Sequence, residues 1–191
     1  MSTTTLAARR GAPAGLLVAG FVLAVVLRVS VSGGDPAGSA TAGVVFGVAL
    51  LALSRAARTR LTWSWRALLL GLAGAAVLCV PVLLRWTPRP PVVDGFAGWA
   101  LVVSFVAVAE EVFLRGTLYD AVRSRAGDDA AIGVAAIAFA LLHVPLYGWH
   151  VVPLDLAVGV LLGELRRVSG TATAPAVTHV VADVAAWFLR A

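Results

Sequence analysis

Apolar stretches of about 18 to 22 residues recur along the whole chain, and each can cross a hydrocarbon core roughly 30 Å thick. The 191 residues are 60% hydrophobic and 13% charged, whereas a soluble domain carries roughly 25% charged residues. No sizeable segment is left over for a domain outside the membrane. The sequence therefore predicts an all-α, polytopic transmembrane bundle and argues against a water-soluble fold.

Breaks in the apolar pattern divide the chain into about seven predicted helices. The turn Ser32–Pro36 follows the first helix, and the proline-rich loop Arg85–Pro91 follows the third. The segment Arg55–Arg66 mixes arginine with tryptophan, as expected at a lipid headgroup boundary. The predicted helices are Pro13–Val31, Ala37–Ser54, Ala67–Leu84, Gly95 to about Arg123, Asp129–Val144, Val151–Arg167 and Thr173–Arg190.

The basic residues indicate orientation rather than nucleic-acid binding. All fifteen are arginine, the net charge is +5, and no basic stripe alternates with aromatic residues. Most loop arginines fall on alternate loops, which predicts a cytoplasmic N-terminus, with Arg28 and Arg190 near helix ends where they could snorkel. The first apolar run is interpreted as a retained helix, and the Ala, Gly, Val and Arg bias suggests a bacterial plasma membrane. Cys79 has no partner for a disulfide.

Two adjacent glutamates lie deep in the fourth predicted helix. Acidic groups in an apolar helix are costly and are therefore functional candidates. Glu111 and Arg115 are four residues apart and can form a buried ion pair, which would be structural. Glu110 points about 100° away and has no partner on its own helix, so it is the candidate general base. The alternative is a hydrogen-bonded carboxylate that serves packing.

The histidines add a second group of candidates. His143 follows Phe139 by four residues on the fifth predicted helix, and His179 precedes Asp183 by four on the seventh. A single histidine on an apolar face is often only a core residue. Two histidines, a glutamate and an aspartate on three helices instead favour convergence on one hydrated site. His150 is expected at the interface, Glu164 beside Arg166 and Arg167 at headgroup level, and Asp155 has no explanation from the sequence.

The ordered motifs Glu110-Glu111-x-x-x-Arg115, Phe139-x-x-x-His143 and His179-x-x-x-Asp183 resemble the CAAX protease and bacteriocin-processing family of intramembrane glutamate proteases. The resemblance covers about Gly95 to Arg190. It implies a first part, 1–94, of N-terminal helices and connectors, and a catalytic helical core, 95–191, within one membrane domain.

The resemblance also implies roles for the motif residues. Glu110 and His143 would activate water, His179 and Asp183 would form the oxyanion site, and Glu111, Arg115 and Phe139 would support them. No cofactor or metal is implied. The expected partners are the lipid bilayer and a peptide or protein substrate, which could be lipidated; substrate identity and oligomeric state are left open.

One position departs from the family pattern, which most often ends in asparagine. An ionised Asp183 can only accept hydrogen bonds and would repel an oxyanion. Three interpretations follow: a protonated Asp183, an Asp183 that acts by fixing the tautomer of His179, or a site that has lost hydrolysis.

Other function classes stay open at this stage. A zinc hydrolase is one, because Glu110, His143, His179 and Asp183 are all plausible zinc ligands. A non-catalytic immunity or peptide-binding membrane protein is another. A transporter is a third, although the chain is short and has no repeated half.

Overall fold

The computed structural model describes residues 13–56, 61–84 and 95–189, and all of their regular structure is helical. The predicted loop Arg85–Pro91, positions 57–60 of the connector and Arg190 lie outside the described residues. The described chain forms seven α-helices: α1 Ala14–Ser30, α2 Ala40–Ala56, α3 Trp65–Leu83, α4 Phe96–Glu111, α5 Tyr119–Tyr147, α6 Val152–Ser169 and α7 Thr173–Leu189. The predicted all-α bundle is confirmed.

A tight reversal at Gly127 separates two antiparallel parts of the longest helical stretch. Gly127 has φ 83° and ψ 178°, a conformation that a side chain disfavours. In an unbroken helix, Arg115 and Phe139 would lie about 36 Å apart. The Arg115 guanidinium carbon is instead 4.8 Å from the centre of the Phe139 ring. The reversal therefore brings two of the predicted motifs together.

A π-helical segment, Val112–Leu118, connects α4 to α5 and directly follows the glutamate pair. Its wider turn interrupts the regular α spacing, and such segments are rare and often occur at functional sites. All seven of its residues are buried. The apolar pattern of the sequence instead predicts a regular helix from Gly95 to about Arg123.

The outer surface of the bundle is strongly apolar. Leu23, Leu101 and Leu154 are 68%, 74% and 67% exposed, which would be costly in water and is suited to lipid. Among the described residues, the stretch Phe96–Tyr147 is long and apolar enough to cross a membrane by length and composition, and it contains the Gly127 reversal. The apolar helices Ala14–Ser30, Ala40–Arg55, Trp65–Val80 and Thr173–Leu189 are shorter.

Close packing fixes the helices that carry the motifs. Helix α5 packs against α6, α7 packs against both α3 and α4, and α2 packs against α4. At Gly159 a Cβ atom would lie only 2.8 Å from the Cα of Ala136, so α5 and α6 meet almost backbone to backbone. The carbonyl of Gly159 accepts a hydrogen bond from Arg115 of the π-helical segment.

Two further details of the sequence prediction were wrong. Helix α5 does not stop before Pro145 but continues to Tyr147, with the proline inside its last turn. Arg28 does not snorkel toward lipid headgroups, because it is only 6% exposed within the bundle. In both cases tertiary packing overrides a local preference.

Candidate active site

Glu111 connects two of the predicted motifs. It is fully buried at the end of α4, and its Oε1 accepts hydrogen bonds from Arg115 Nη1 at 2.8 Å and from His179 Nδ1 at 3.0 Å. The predicted pair of Glu111 and Arg115 is present. The structure adds His179 as a second donor to the same oxygen, which ties α7 to α4.

Arg115 extends this pair toward α5 and α6. Its Nη2 donates to the carbonyl of Gly159 at 3.1 Å, and its guanidinium lies over the ring of Phe139. The Arg115 side chain is 0% exposed. A buried guanidinium needs a counter-charge and hydrogen-bond acceptors, and here one carboxylate, one carbonyl and one aromatic face supply them.

His143 is held with one ring nitrogen identified as the donor. Its Nδ1 lies 2.9 Å from the carbonyl oxygen of Phe139, which can only accept, so Nδ1 carries the hydrogen. Nε2 is then the proton-accepting nitrogen of the neutral ring. Tyr147 stacks on the imidazole at 5.8 Å between ring centres. An oxygen of Asp155 lies 3.6 Å from Nδ1, which gives this unexplained aspartate a place beside the site.

His179 lies between two carboxylates. Its Nδ1 faces Glu111, and its Nε2 is 3.5 Å from Oδ2 of Asp183. Nδ1 donates its hydrogen to Glu111. The contact between Nε2 and Oδ2 of Asp183 is then attractive when one of these two atoms carries a hydrogen and the other accepts it. Glu111 rather than Asp183 therefore holds the Nδ1 side of this histidine.

The Phe139 ring joins the two histidines. It contacts the His143 ring at 4.6 Å and the His179 ring at 5.4 Å between centres, both edge to face. Its third neighbour is the Arg115 guanidinium. Phe139 thus contacts residues from all three predicted motifs and sets the spacing between the two imidazoles.

Glu110 lies next to this network but has a different partner. It is 2% exposed, and its Oε1 is 3.8 Å from Nη1 of Arg28 on α1. It also interacts electrostatically with His179 and Asp183. Arg28 interacts electrostatically with both Glu110 and His143. The four predicted catalytic residues therefore lie in one region of the bundle: Glu110, His143, His179 and Asp183.

Arg166 is buried, contrary to the headgroup location predicted from the sequence. Its Nε donates to the carbonyl of Arg115 at 2.7 Å and its Nη2 to Asp120 at 2.8 Å, with the guanidinium over the Tyr119 ring. It is 8% exposed and braces the π-helical segment instead of meeting headgroups. Its neighbour Arg167 does pair with Glu164, at 2.5 Å.

A zinc site would require several of these side chains to converge on one point. Within residues 13–56, 61–84 and 95–189, no three His, Cys, Asp or Glu side chains converge as metal ligands would. Phe139 lies between the two imidazoles, and Nδ1 of each is directed at a carbonyl or carboxylate oxygen of the protein. The arrangement resembles a hydrogen-bonded acid–base site more than a ligand set.

Part of the chain matches a known protein family. Residues 92–185 match the family model described as Type II CAAX prenyl endopeptidase Rce1-like. These residues belong to the Rce1-like family. The match confirms the resemblance predicted from the motifs, and it implies a membrane-embedded, CAAX-protease-like peptidase. No curated protein and no solved structure matches the chain.

Proposed function

We propose that this Rce1-like chain hydrolyses a peptide bond inside or at the edge of the membrane, with Glu110 and His143 activating the attacking water. The observation that carries the proposal is the different pairing of the two adjacent glutamates. Among the described residues, Glu111 accepts two short hydrogen bonds on Oε1, whereas Glu110 has one ion-pair contact at 3.8 Å, longer than a hydrogen bond. Both oxygens of Glu110 can therefore accept hydrogen bonds from water, whereas on Glu111 only Oε2 is left.

The proposed first step is removal of a proton from water as its oxygen attacks the peptide carbonyl. Glu110 accepts that proton, and Nε2 of His143 accepts a hydrogen bond from the same water, since Nδ1 is committed to the Phe139 carbonyl. The proton then passes to the leaving amine as the C–N bond breaks. The products are a new carboxylate and a new amine, and no cofactor takes part in the proposed steps.

The oxyanion is assigned to His179 and Asp183. Oxyanion sites work by placing donors where negative charge develops in the transition state. In this proposal the hydrogen carried by Nε2 of His179 or by Oδ2 of Asp183 turns from that contact to the oxyanion when the peptide is bound, and Glu111 and Arg115 hold the imidazole in place. Phe139 keeps the two histidines on separate sides of the reacting carbonyl.

A cleavage assay in isotopically labelled water tests the function. Purified protein in detergent would be incubated with peptides ending in a CAAX sequence, each prepared with and without a prenyl group on the cysteine. Mass spectrometry should find one cleavage site and a single 18O atom in the new carboxyl group. Comparing peptide termini between a deletion strain and its parent would identify native substrates.

Two outcomes would favour other functions. Binding of the CAAX peptides without any cleavage would favour the immunity or peptide-binding alternative. Loss of cleavage in chelator, with restoration by zinc, would favour a zinc hydrolase.

Asp183→Asn is expected to preserve cleavage or raise it up to several-fold. An asparagine amide can donate to Nε2 of His179 or to the oxyanion without a shared proton, and it keeps the size of the side chain. The measurement is kcat and KM with the peptide found above. Asp183→Ala is the matched comparison and should lower kcat, because it removes one of the two groups that hold the donated hydrogen. Complete loss of cleavage in Asp183→Asn would contradict the donor assignment.

A further inference from the structure

The N-terminal helix α1 contributes one buried cation to the candidate site. Arg28 is the one charged residue of α1, and it lies inside the bundle rather than at its surface. A charged side chain within an apolar helix is expensive unless a counter-charge or polar partner is near. Arg28 lies well before residues 92–185, so the family match does not account for it.

Three contacts from three parts of the chain hold the Arg28 guanidinium. Its Nε donates to the carbonyl of Pro36 at 3.3 Å, its plane lies over the Phe46 ring at 5.0 Å, and its Nη1 faces Oε1 of Glu110 at 3.8 Å. The first two contacts fix the direction of the group. The third is the point at which this fixed cation meets the proposed base.

The two adjacent glutamates thus have separate arginines. Glu111 has Arg115, four residues along the same helical stretch, and Glu110 has Arg28 from α1. Two neighbouring carboxylates in an apolar helix repel each other, and each arginine offsets that repulsion for one of them. The difference between 2.8 Å and 3.8 Å matters, because the longer contact attracts the carboxylate without occupying its oxygen with a hydrogen bond.

We propose that Arg28 is a positioning residue for Glu110: it holds the side chain in an ionised, oriented state from which it can take a proton from water. The proposal rests on the proposed hydrolytic function for its kinetic consequence. The ion pair itself does not depend on that function. It follows that the N-terminal helices are part of the catalytic unit rather than only a membrane anchor.

The kinetic test compares Arg28→Gln, Arg28→Lys and wild type on the peptide found by the cleavage assay. Arg28→Gln should lower kcat by about 10- to 100-fold with KM changed by less than about threefold, since the base and not the peptide loses its partner. Arg28→Lys keeps the charge and should recover most of kcat. Arg55→Gln, at the exposed end of α2, is the matched control and should behave as wild type. A change confined to KM, or equal losses in Arg28→Lys and Arg28→Gln, would overturn the positioning role.

A stability measurement keeps the proposal testable apart from catalysis. Thermal unfolding in detergent would be measured for Arg28→Gln, Glu110→Gln and the double variant. Each single change should lower Tm by roughly 5–10 °C because it leaves a buried charge unpaired, and the double variant should regain at least half of that loss. Additive losses would overturn the ion pair. If wild type cleaves no peptide, the proposed function fails, and this cycle still decides whether Arg28 holds Glu110. If the Arg28→Gln variant does not fold, that result counts against the proposal unless adding Glu110→Gln restores folding.

Discussion

Replacing Glu110 with glutamine is expected to lower peptide cleavage by about 100- to 10,000-fold, the range typical of a lost general base. Glutamine has nearly the same shape, so the packing at the end of α4 should be retained, but its amide cannot take a proton from water. Some stability should be lost, since Arg28 then has no counter-charge 3.8 Å away. The measurement is kcat in single-turnover conditions, well below the Tm of the variant.

The control for this substitution is Glu164→Gln. Glu164 lies on α6, is partly exposed and pairs with Arg167, so its loss should leave cleavage within about twofold of wild type. Glu111→Gln gives a second comparison, because it weakens the contacts to Arg115 and His179 and should reduce stability as well as rate. Unchanged turnover in Glu110→Gln would eliminate the proposed mechanism while leaving the membrane fold intact.

The second large effect is expected for Arg115→Met, which should reduce the free energy of unfolding by about 3–5 kcal/mol. Methionine can occupy the apolar volume of the side chain. It cannot replace the charge beside Glu111, the hydrogen bond to the Gly159 carbonyl or the contact with the Phe139 ring. The Glu111 carboxylate would then be buried with His179 as its remaining donor. Unfolding in detergent, followed by circular dichroism against temperature, measures the effect.

Two companions make the result interpretable. Arg125→Met removes an exposed arginine of α5 and should change the unfolding free energy by less than about 0.5 kcal/mol. The double variant Glu111→Gln with Arg115→Met should be more stable than Arg115→Met alone, because no unpaired charge is left buried. If Arg115→Met lowers the free energy of unfolding no more than Arg125→Met does, the buried pair does not hold the π-helical segment.

Much of the local structure followed from the sequence. Helix α7 was predicted as Thr173–Arg190 and is found as Thr173–Leu189, and α6 was predicted as Val151–Arg167 and is found as Val152–Ser169. The reason is that apolar runs in this chain are bounded by glycine, proline or arginine, which end helices or mark membrane boundaries. The Glu111–Arg115 pair was predictable for the same kind of reason, since four-residue spacing places two side chains on one helix face.

The contacts between helices could not be predicted from helix boundaries or from spacing along the chain. Arg28 is separated from Glu110 by more than 80 positions, and its location on an apolar helix is equally consistent with snorkelling toward headgroups. Asp155 had no sequence neighbour to explain it, yet it lies beside His143 across the α5–α6 contact. A π-helical turn has no composition that distinguishes it from an α-helix, so Val112–Leu118 was predicted as regular helix.

The sequence by itself therefore determined that this chain is a helical membrane protein, which residues of its C-terminal half are candidates for chemistry, and which of them share a helix face. Those properties depend on hydrophobicity and on spacings within one turn. Tertiary structure alone decided that Arg28 faces Glu110, that His179 lies between Glu111 and Asp183, and that Phe139 separates the two imidazoles. These partners are distant in the chain. They come into contact because the helices pack closely, as at Gly159, and because a buried charge is stable only beside a counter-charge or a hydrogen-bond partner.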